Sequence, residues 1–283
     1  MTLWLMRLLL APALVVGASL AGRRWGPSVS GLLVGLPLVA GPVLLVSHVQ
    51  HGAQFGEDAA RASLLGIVSF CAFAVIFGLL ANLGLAPALL IAWFACLGAD
   101  AALLQLSAMP PWLGLCLAGA AAAAARVLLP HGQRPPTARQ QMQWSRWDLP
   151  ARAATTAGLV AFLTAVSAQI GPTITGVLAP FPVATSVIVS FAMAQEGRDT
   201  ALAVLHGVLR GIVAFAVFCA AVSLLLRPYG PLWAFGVASA GAFAVQYVIQ
   251  QRQVRAPDQN ETTARVSSLT GNDACRGETD SQD

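Results

Sequence analysis

Nine apolar runs follow one another along the chain, at residues 3–21, 27–49, 59–80, 87–106, 112–129, 152–168, 172–194, 200–226 and 231–250. Each approaches the roughly 20 apolar residues that carry a helix across a bilayer. In hydrocarbon every backbone N–H and C=O must be satisfied within the protein, so such runs are expected as helices. The fold class expected is therefore all-α: a polytopic integral membrane protein with about nine transmembrane helices. Composition enters only as agreement: 57% of the 283 residues are hydrophobic and 10% charged, where a soluble domain is roughly a quarter charged.

The charges that remain are informative by position. All 16 basic residues are Arg, and six of the 12 acidic residues lie beyond Gln250. The one long break, 131–150, is rich in Pro, Gln and Arg (Arg134, Arg139, Arg146) and reads as a linker. Placing that linker in the cytoplasm puts 13 Arg inside and leaves only Arg7, Arg61 and Arg227 outside. This satisfies the positive-inside rule with the N-terminus out and the C-terminus in. Trp4, Trp25, Trp112, Trp144, Trp147 and Trp233 fall near span ends, as interfacial aromatics do; Trp93 does not. Ser19-Leu20-Ala21 resembles a signal-peptide cleavage site, but no positive charge precedes the apolar run until Arg7, and the first run is kept as a helix. Beyond Gln251 the chain turns polar without apolar periodicity, and a disordered tail is expected.

Internal similarity is visible by eye. Gly26-Pro27-Ser28-Val29-Ser30-Gly31 returns 145 residues later as Gly171-Pro172-Thr173-Ile174-Thr175-Gly176. The same offset pairs Pro37 with Pro182, Gln50 with Gln195, Gly52 with Gly197, and Gly66-Ile67-Val68 with Gly211-Ile212-Val213. Residues 26–73 hold 13 identities in 48 positions, where this composition gives roughly four by chance. The domains expected are a four-helix repeat (1–107), a connecting transmembrane helix (108–130), the linker (131–150), a second four-helix repeat (151–250) and the tail (251–283). The first spans of the two repeats are five crossings apart, an odd number, so the repeats face the membrane in opposite directions. That 4+1+4 inverted topology is found in many secondary transporters.

The stretch Thr175-Gly176-Val177-Leu178-Ala179-Pro180-Phe181-Pro182, followed by Gln195-Glu196-Gly197-Arg198 and an Ala/Leu-rich run, resembles the GlpM-like family. These are small bacterial inner-membrane proteins of about half this length with four predicted spans. Their pattern is a Gly-Leu-x-Pro-x-Phe-Pro stretch, a charged Gly-containing turn and a further span. The second repeat resembles it through Leu226; the first departs from it, with Gly35 in place of Pro180 and Ala53 in place of Arg198. The resemblance implies two fused copies of that unit and a bacterial inner-membrane location. The family brings no catalytic residues with it.

Pro37 and Pro182 fall about ten residues into their spans, where each removes a backbone hydrogen bond. Spans interrupted by Gly and Pro at corresponding positions of two halves point to a transport site; the alternative is a kink that only shapes packing. The pathway candidates are Gly31, Gly35, Pro37, Gly176, Pro180 and Pro182, with hydroxyls from Ser30 and Thr175. Asp100, the lone carboxylate inside a span, is either a proton carrier or cation ligand or an interfacial residue at a helix end. By the 145 offset its counterpart is Val245. The turns after the broken spans supply gate candidates, Gln50, Arg61, Gln195, Glu196 and His206, which also suit interface anchoring. His48 and His51 lie at helical spacing near Glu57, but no further His is close, and no metal is expected.

The five Cys form no CxxC or spaced framework, which suggests neither disulfides nor zinc. No GxSxG, HExxH, Walker or dinucleotide signature is present, so no enzyme and no cofactor are expected. Arg in a cytoplasmic loop is what topology alone requires, and nucleic acid is not an expected partner. The partners expected are the bilayer and a small solute, with a homo-oligomer allowed. The function expected is alternating access by a permease; the alternative is a non-transporting accessory or scaffold, for instance in envelope polysaccharide or lipid assembly.

Overall fold

The computed structural model describes residues 2–34, 41, 44–45, 48–49, 52–103, 105, 109–132, 148–170 and 182–255. The candidates Gly35, Pro37, Gln50, Thr175, Gly176 and Pro180 lie outside them, as do His51, most of the linker and the tail beyond residue 255. Among the described residues all regular structure is helical. The helices are α1 (Thr2–Trp25), α2 (Pro27–Val34), α3 (Ala53–Leu80), α4 (Leu85–Leu103), α5 (Pro111–Leu128), α6 (Asp148–Ile170), α7 (Val183–Glu196) and α8 (Arg198–Arg255). A 3₁₀ turn, Ala81–Leu83, joins α3 to α4. Four stretches are long and apolar enough to cross a membrane: Ala53–Leu83, Leu85–Leu103, Pro111–Leu128 and Arg198–Ile249. The protein is membrane-embedded.

Local sequence accounts for the breaks. Pro at the first helical position has no N–H to leave unpaired; Pro27 and Pro111 stand there. Arg23 and Arg24 close α1, and Asp148 sits in the first turn of α6, each sign matching the helix dipole. In α8 the helix is interrupted at Gly230 (φ 77°, ψ 172°), between Pro228 and Pro231. Gly52 (φ 88°, ψ 176°) and Gly197 (φ 89°, ψ −178°), 145 residues apart, adopt the same extended left-sided conformation, each just before a helix. This region of backbone space is essentially reserved for Gly.

Residues Met1–Val245 form one compact unit and Gln246–Asp283 a second, whose described part is the end of α8. Within the first unit α3 packs on α4 and α5, and α1 on α2, α6 and α7. The seams are made of small residues. α4 buries Ala88, Ala92, Cys96 and Asp100, and α5 buries Pro111, Gly114, Ala118, Ala122 and Ala125. Large apolar side chains instead line the outside: Leu90, Ile91 and Phe94 on α4, Trp112 on α5, Leu232 and Trp233 on α8. Lipid is as apolar as Leu, so helix association there relies on close approach over small residues, not on hiding large ones. Phe73, Phe77 and Phe218 are the largest fully buried side chains.

Candidate functional site

Two ionic networks lie at different helix ends. The first centres on Asp148 at the start of α6, whose side chain is 2% exposed. It accepts hydrogen bonds from Arg23 Nη2 at the end of α1 (2.6 Å), from Arg152 Nε one turn along α6 (3.1 Å to Oδ2) and from Gln195 Nε2 at the end of α7. Arg152 also donates to Ser19 Oγ (3.4 Å) and Gln195 Oε1 (3.1 Å), and its guanidinium lies 4.9 Å from the Phe191 ring centroid. Burial by itself would raise the Asp148 pKa. The Gln195 hydrogen bond, the Arg152 charge and the Arg23 bond outweigh it and hold the carboxyl below its ordinary range. Arg152 is the 145-residue counterpart of Arg7, and Gln195 of Gln50. That shared register marks each of them as a repeat position without pairing them; Asp148, read as a linker residue, carries no such signal.

The second network lies at the start of α3. Glu57, buried, pairs with Arg61 one turn on and with Arg227 Nε of α8 at 3.4 Å. Gly56 beside it packs against Leu226 and His48. Arg61 is thus a helix-end side chain in an i,i+4 pair.

The remaining candidates are dispersed. Gly31 lies in regular helix α2, where its missing side chain lets the α8 backbone pass at Val204 and Val208. The contact is reciprocal: Gly207 of α8 faces the Ser28 carbonyl and Leu32 amide of α2, and Ser28 Oγ donates to the Ala203 carbonyl at 3.3 Å. Ser30 is buried against Gly22 of α1. Pro182 is not interior to α7; its φ of −76° and ψ of 53° are non-helical, and α7 begins after it. Glu196 closes α7, exposed and near the first network, where Arg152 and Asp148 both act on it electrostatically. His206 Nε2 lies 3.2 Å from the Pro130 carbonyl, and its ring is 4.8 Å from that of His131. Among the described residues no group of His, Cys, Asp and Glu is arranged to hold a metal.

Asp100 is buried on the inner face of α4, three residues before that helix ends. The Cys96 thiol lies 4.0 Å from its Oδ2. The buried stripe of α4, Ala88, Ala92, Cys96 and Asp100, recurs in α8 as Ala234, Ala238, Ala242 and Gln246. That spacing is 146, one more than in the preceding helices, and the same step relates Gly84 (φ 105°) to Gly230 (φ 77°). The buried counterpart of Asp100 is therefore the amide Gln246 and not Val245, which the uninterrupted register selects. Trp93, the aromatic away from a span end, donates its Nε1 hydrogen to Ser186 Oγ of α7 at 2.9 Å, which satisfies its polar atom inside the protein.

No family model, no curated protein and no solved structure matches this chain.

Proposed function

We propose that the chain is a secondary transporter of a small solute, with nine crossings arranged as two inverted four-helix repeats around a connecting helix. In this reading it sits in a bacterial inner membrane with its N-terminus out and its C-terminus in. The observation that carries the proposal is the composition of the two ionic networks. Each is assembled from both halves: Arg23 with Asp148, Arg152 and Gln195, and Glu57 and Arg61 with Arg227. Counted through alternating spans, the first falls on the inner face of the membrane and the second on the outer. Polar contacts between two halves at opposite faces are what alternating access needs for its two gates. The matched backbone at Gly52 and Gly197, and the paired polar residues Asp100 and Gln246, support the twin-repeat reading. The GlpM-like resemblance adds a four-span unit of the right size.

Topology is tested by thiol labelling in a Cys-less background. Asp58→Cys and Glu196→Cys, exposed positions at the turn between the second and third spans of the first and second repeat, are expected to react with a membrane-impermeant maleimide from opposite sides. Labelling of both from one side would overturn the inverted arrangement.

Function is tested in proteoliposomes with metabolite and ion panels under imposed proton and sodium gradients. Wild-type protein is expected to accumulate at least one solute. Asp100→Asn is expected to lower gradient-driven uptake at least tenfold while leaving solute exchange in place, the behaviour of a proton carrier and not of a packing residue. Absence of flux under every gradient would sink the transporter reading.

A second reading has its own support. The Gly31–Gly207 backbone contact and the Gly/Ala seams of α4 and α5 join helices closely, as suits a static scaffold or accessory protein. A chain that moves no solute, yet co-purifies with envelope-assembly enzymes, would establish it.

A further inference from the structure

The positive-inside bias leaves three Arg on the outer side, and two of them, Arg61 and Arg227, meet at one carboxylate. That carboxylate is Glu57, whose side chain is 10% exposed. Its Oε1 accepts from Arg61 Nη2, and its Oε2 lies 3.4 Å from Arg227 Nε. The second contact is an ion pair without a hydrogen bond. Among the described residues Oε2 is buried with no donor, and Arg61 Nε and His48 Nδ1 are buried with no partner. Gly56 gathers the group: a β-carbon there would come 2.8 Å from Leu226, the residue before Arg227, and 3.2 Å from His48 Cβ. Asp58, next along α3, is exposed and pairs with neither Arg.

A buried oxygen without a donor costs about 1–3 kcal/mol. Arg227 is the reverse case. Its side chain is 61% exposed and meets only Glu57, so most of its five donors stand open to the outside. An acceptor short of a donor thus lies beside donors short of an acceptor. Parting Arg227 from Glu57 separates α8 from α3 at this end. A solute that took only one of the two would leave the other with less than it had, which is costly for a buried charge. A zwitterion supplies both. Its ammonium gives Oε2 a donor as Arg227 leaves, and its carboxylate takes the guanidinium that Glu57 releases. The net charge of the network is unchanged by the exchange. The anion is identified by what Arg227 already faces, a carboxylate, which Arg can hold through two parallel hydrogen bonds.

We propose that Glu57 and Arg227 form an outer recognition site for the ammonium and carboxylate of a small amino-acid-like zwitterion, which inserts between them and parts α3 from α8. Arg61 stays on Oε1 and acts as a positioning residue. The proposal rests on the transporter reading for the outer placement of this end and for the need to open it.

The test uses the purified full chain in detergent, melted with each common α-amino acid, with its N-acetyl form, which lacks the ammonium, and with its amide, which lacks the carboxylate. At least one amino acid is expected to raise the midpoint saturably, while its two derivatives leave it in place. Glu57→Gln and Arg227→Gln are each expected to weaken the apparent affinity about tenfold or more. Arg227 is exposed enough for its replacement to leave the fold intact, so the test stands even if Glu57→Gln does not fold. Asp58→Asn, an equal loss of charge one residue along, is expected to leave the affinity unchanged. No shift with any amino acid, an equal shift with either derivative, or an undiminished shift in Arg227→Gln would overturn the site. Flux in proteoliposomes separates this proposal from the reading it rests on. A shift by an amino acid that is not carried keeps the site and counts against the transporter; transport of another solute, with no shift from any amino acid, keeps the transporter and overturns the site.

Discussion

Replacing Asp148 with Ala is expected to cost about 3–5 kcal/mol of folding stability, the loss that follows when one partner leaves a buried ion pair. The Asp148 side chain is 2% exposed and that of Arg152 is 4% exposed, so neither can turn to water once the other is gone. Gln195 would still accept from Arg152, but through an amide oxygen without charge. Arg23, half-buried at 23%, can move outward and contributes less to the loss. Asp148→Asn keeps the shape and removes the charge, and should account for most of the effect in thermal melts of detergent-solubilised protein.

The same site sets a pH dependence whose sign follows from its charge partners. The folded-state pKa of Asp148 is lowered, so the carboxylate contributes its full stabilisation above the unfolded value, about 3.9. That contribution is lost as pH falls from there through the folded value. Wild-type and Asp148→Asn melting curves should therefore differ most near neutral pH and converge below about pH 4. Curves that stay parallel across the range would refute the assignment of the network's stability to this charge.

Gly207→Ala and Gly31→Ala should each destabilise at or beyond the upper end of the ~1–3 kcal/mol typical of overpacking. A β-carbon at Gly31 meets the Val204 carbonyl and comes 2.9 Å from the Val208 amide nitrogen; one at Gly207 meets the Ser28 carbonyl and comes 3.0 Å from the Leu32 amide nitrogen. The obstructing atoms are backbone, which no rotamer change can move, so the two helices must separate. The first substitution already opens the gap that the second requires. The double variant should accordingly cost less than the sum of the singles. Gly98→Ala and Gly119→Ala meet nothing within 4 Å and serve as controls, neutral or stabilising through helix propensity. If all four substitutions behave alike, the close crossing is not a stability determinant.

Helix positions were legible in the sequence because bilayer thickness imposes a run length, and described helices occupy part or all of each of the nine expected stretches. The breaks were legible where Gly or Pro stands at a turn, as at Gly26, Gly52, Gly84, Gly197 and Gly230. Partnerships between helices were not. Arg152 reads as a topological charge and Asp148 as a linker residue until α1, α6 and α7 bring Arg23 and Gln195 to them. Gly31 stood out for its place in a repeated motif, whereas its observed role is the approach of Gly207, a residue at a non-equivalent position of the other half. A duplicated sequence reveals which residues correspond; which residues meet depends on how the copies pack. The one-residue step between Gly84 and Gly230 shows the same limit, since a continuous register selects Val245 where burial selects Gln246.

At Gly52 and Gly197 the space around a would-be β-carbon is open, with no atom within 4 Å. What these positions demand is handedness, not room. L-alanine would have to be forced into a region that costs of order 1–3 kcal/mol, while D-alanine, the mirror-image residue, would enter it freely. The elbow at Gly197 is also a single residue long, so α7 and α8 share no slack there. Any rotation of one must be taken up by the other or by that one pair of dihedrals, which makes Gly197 the natural pivot between them.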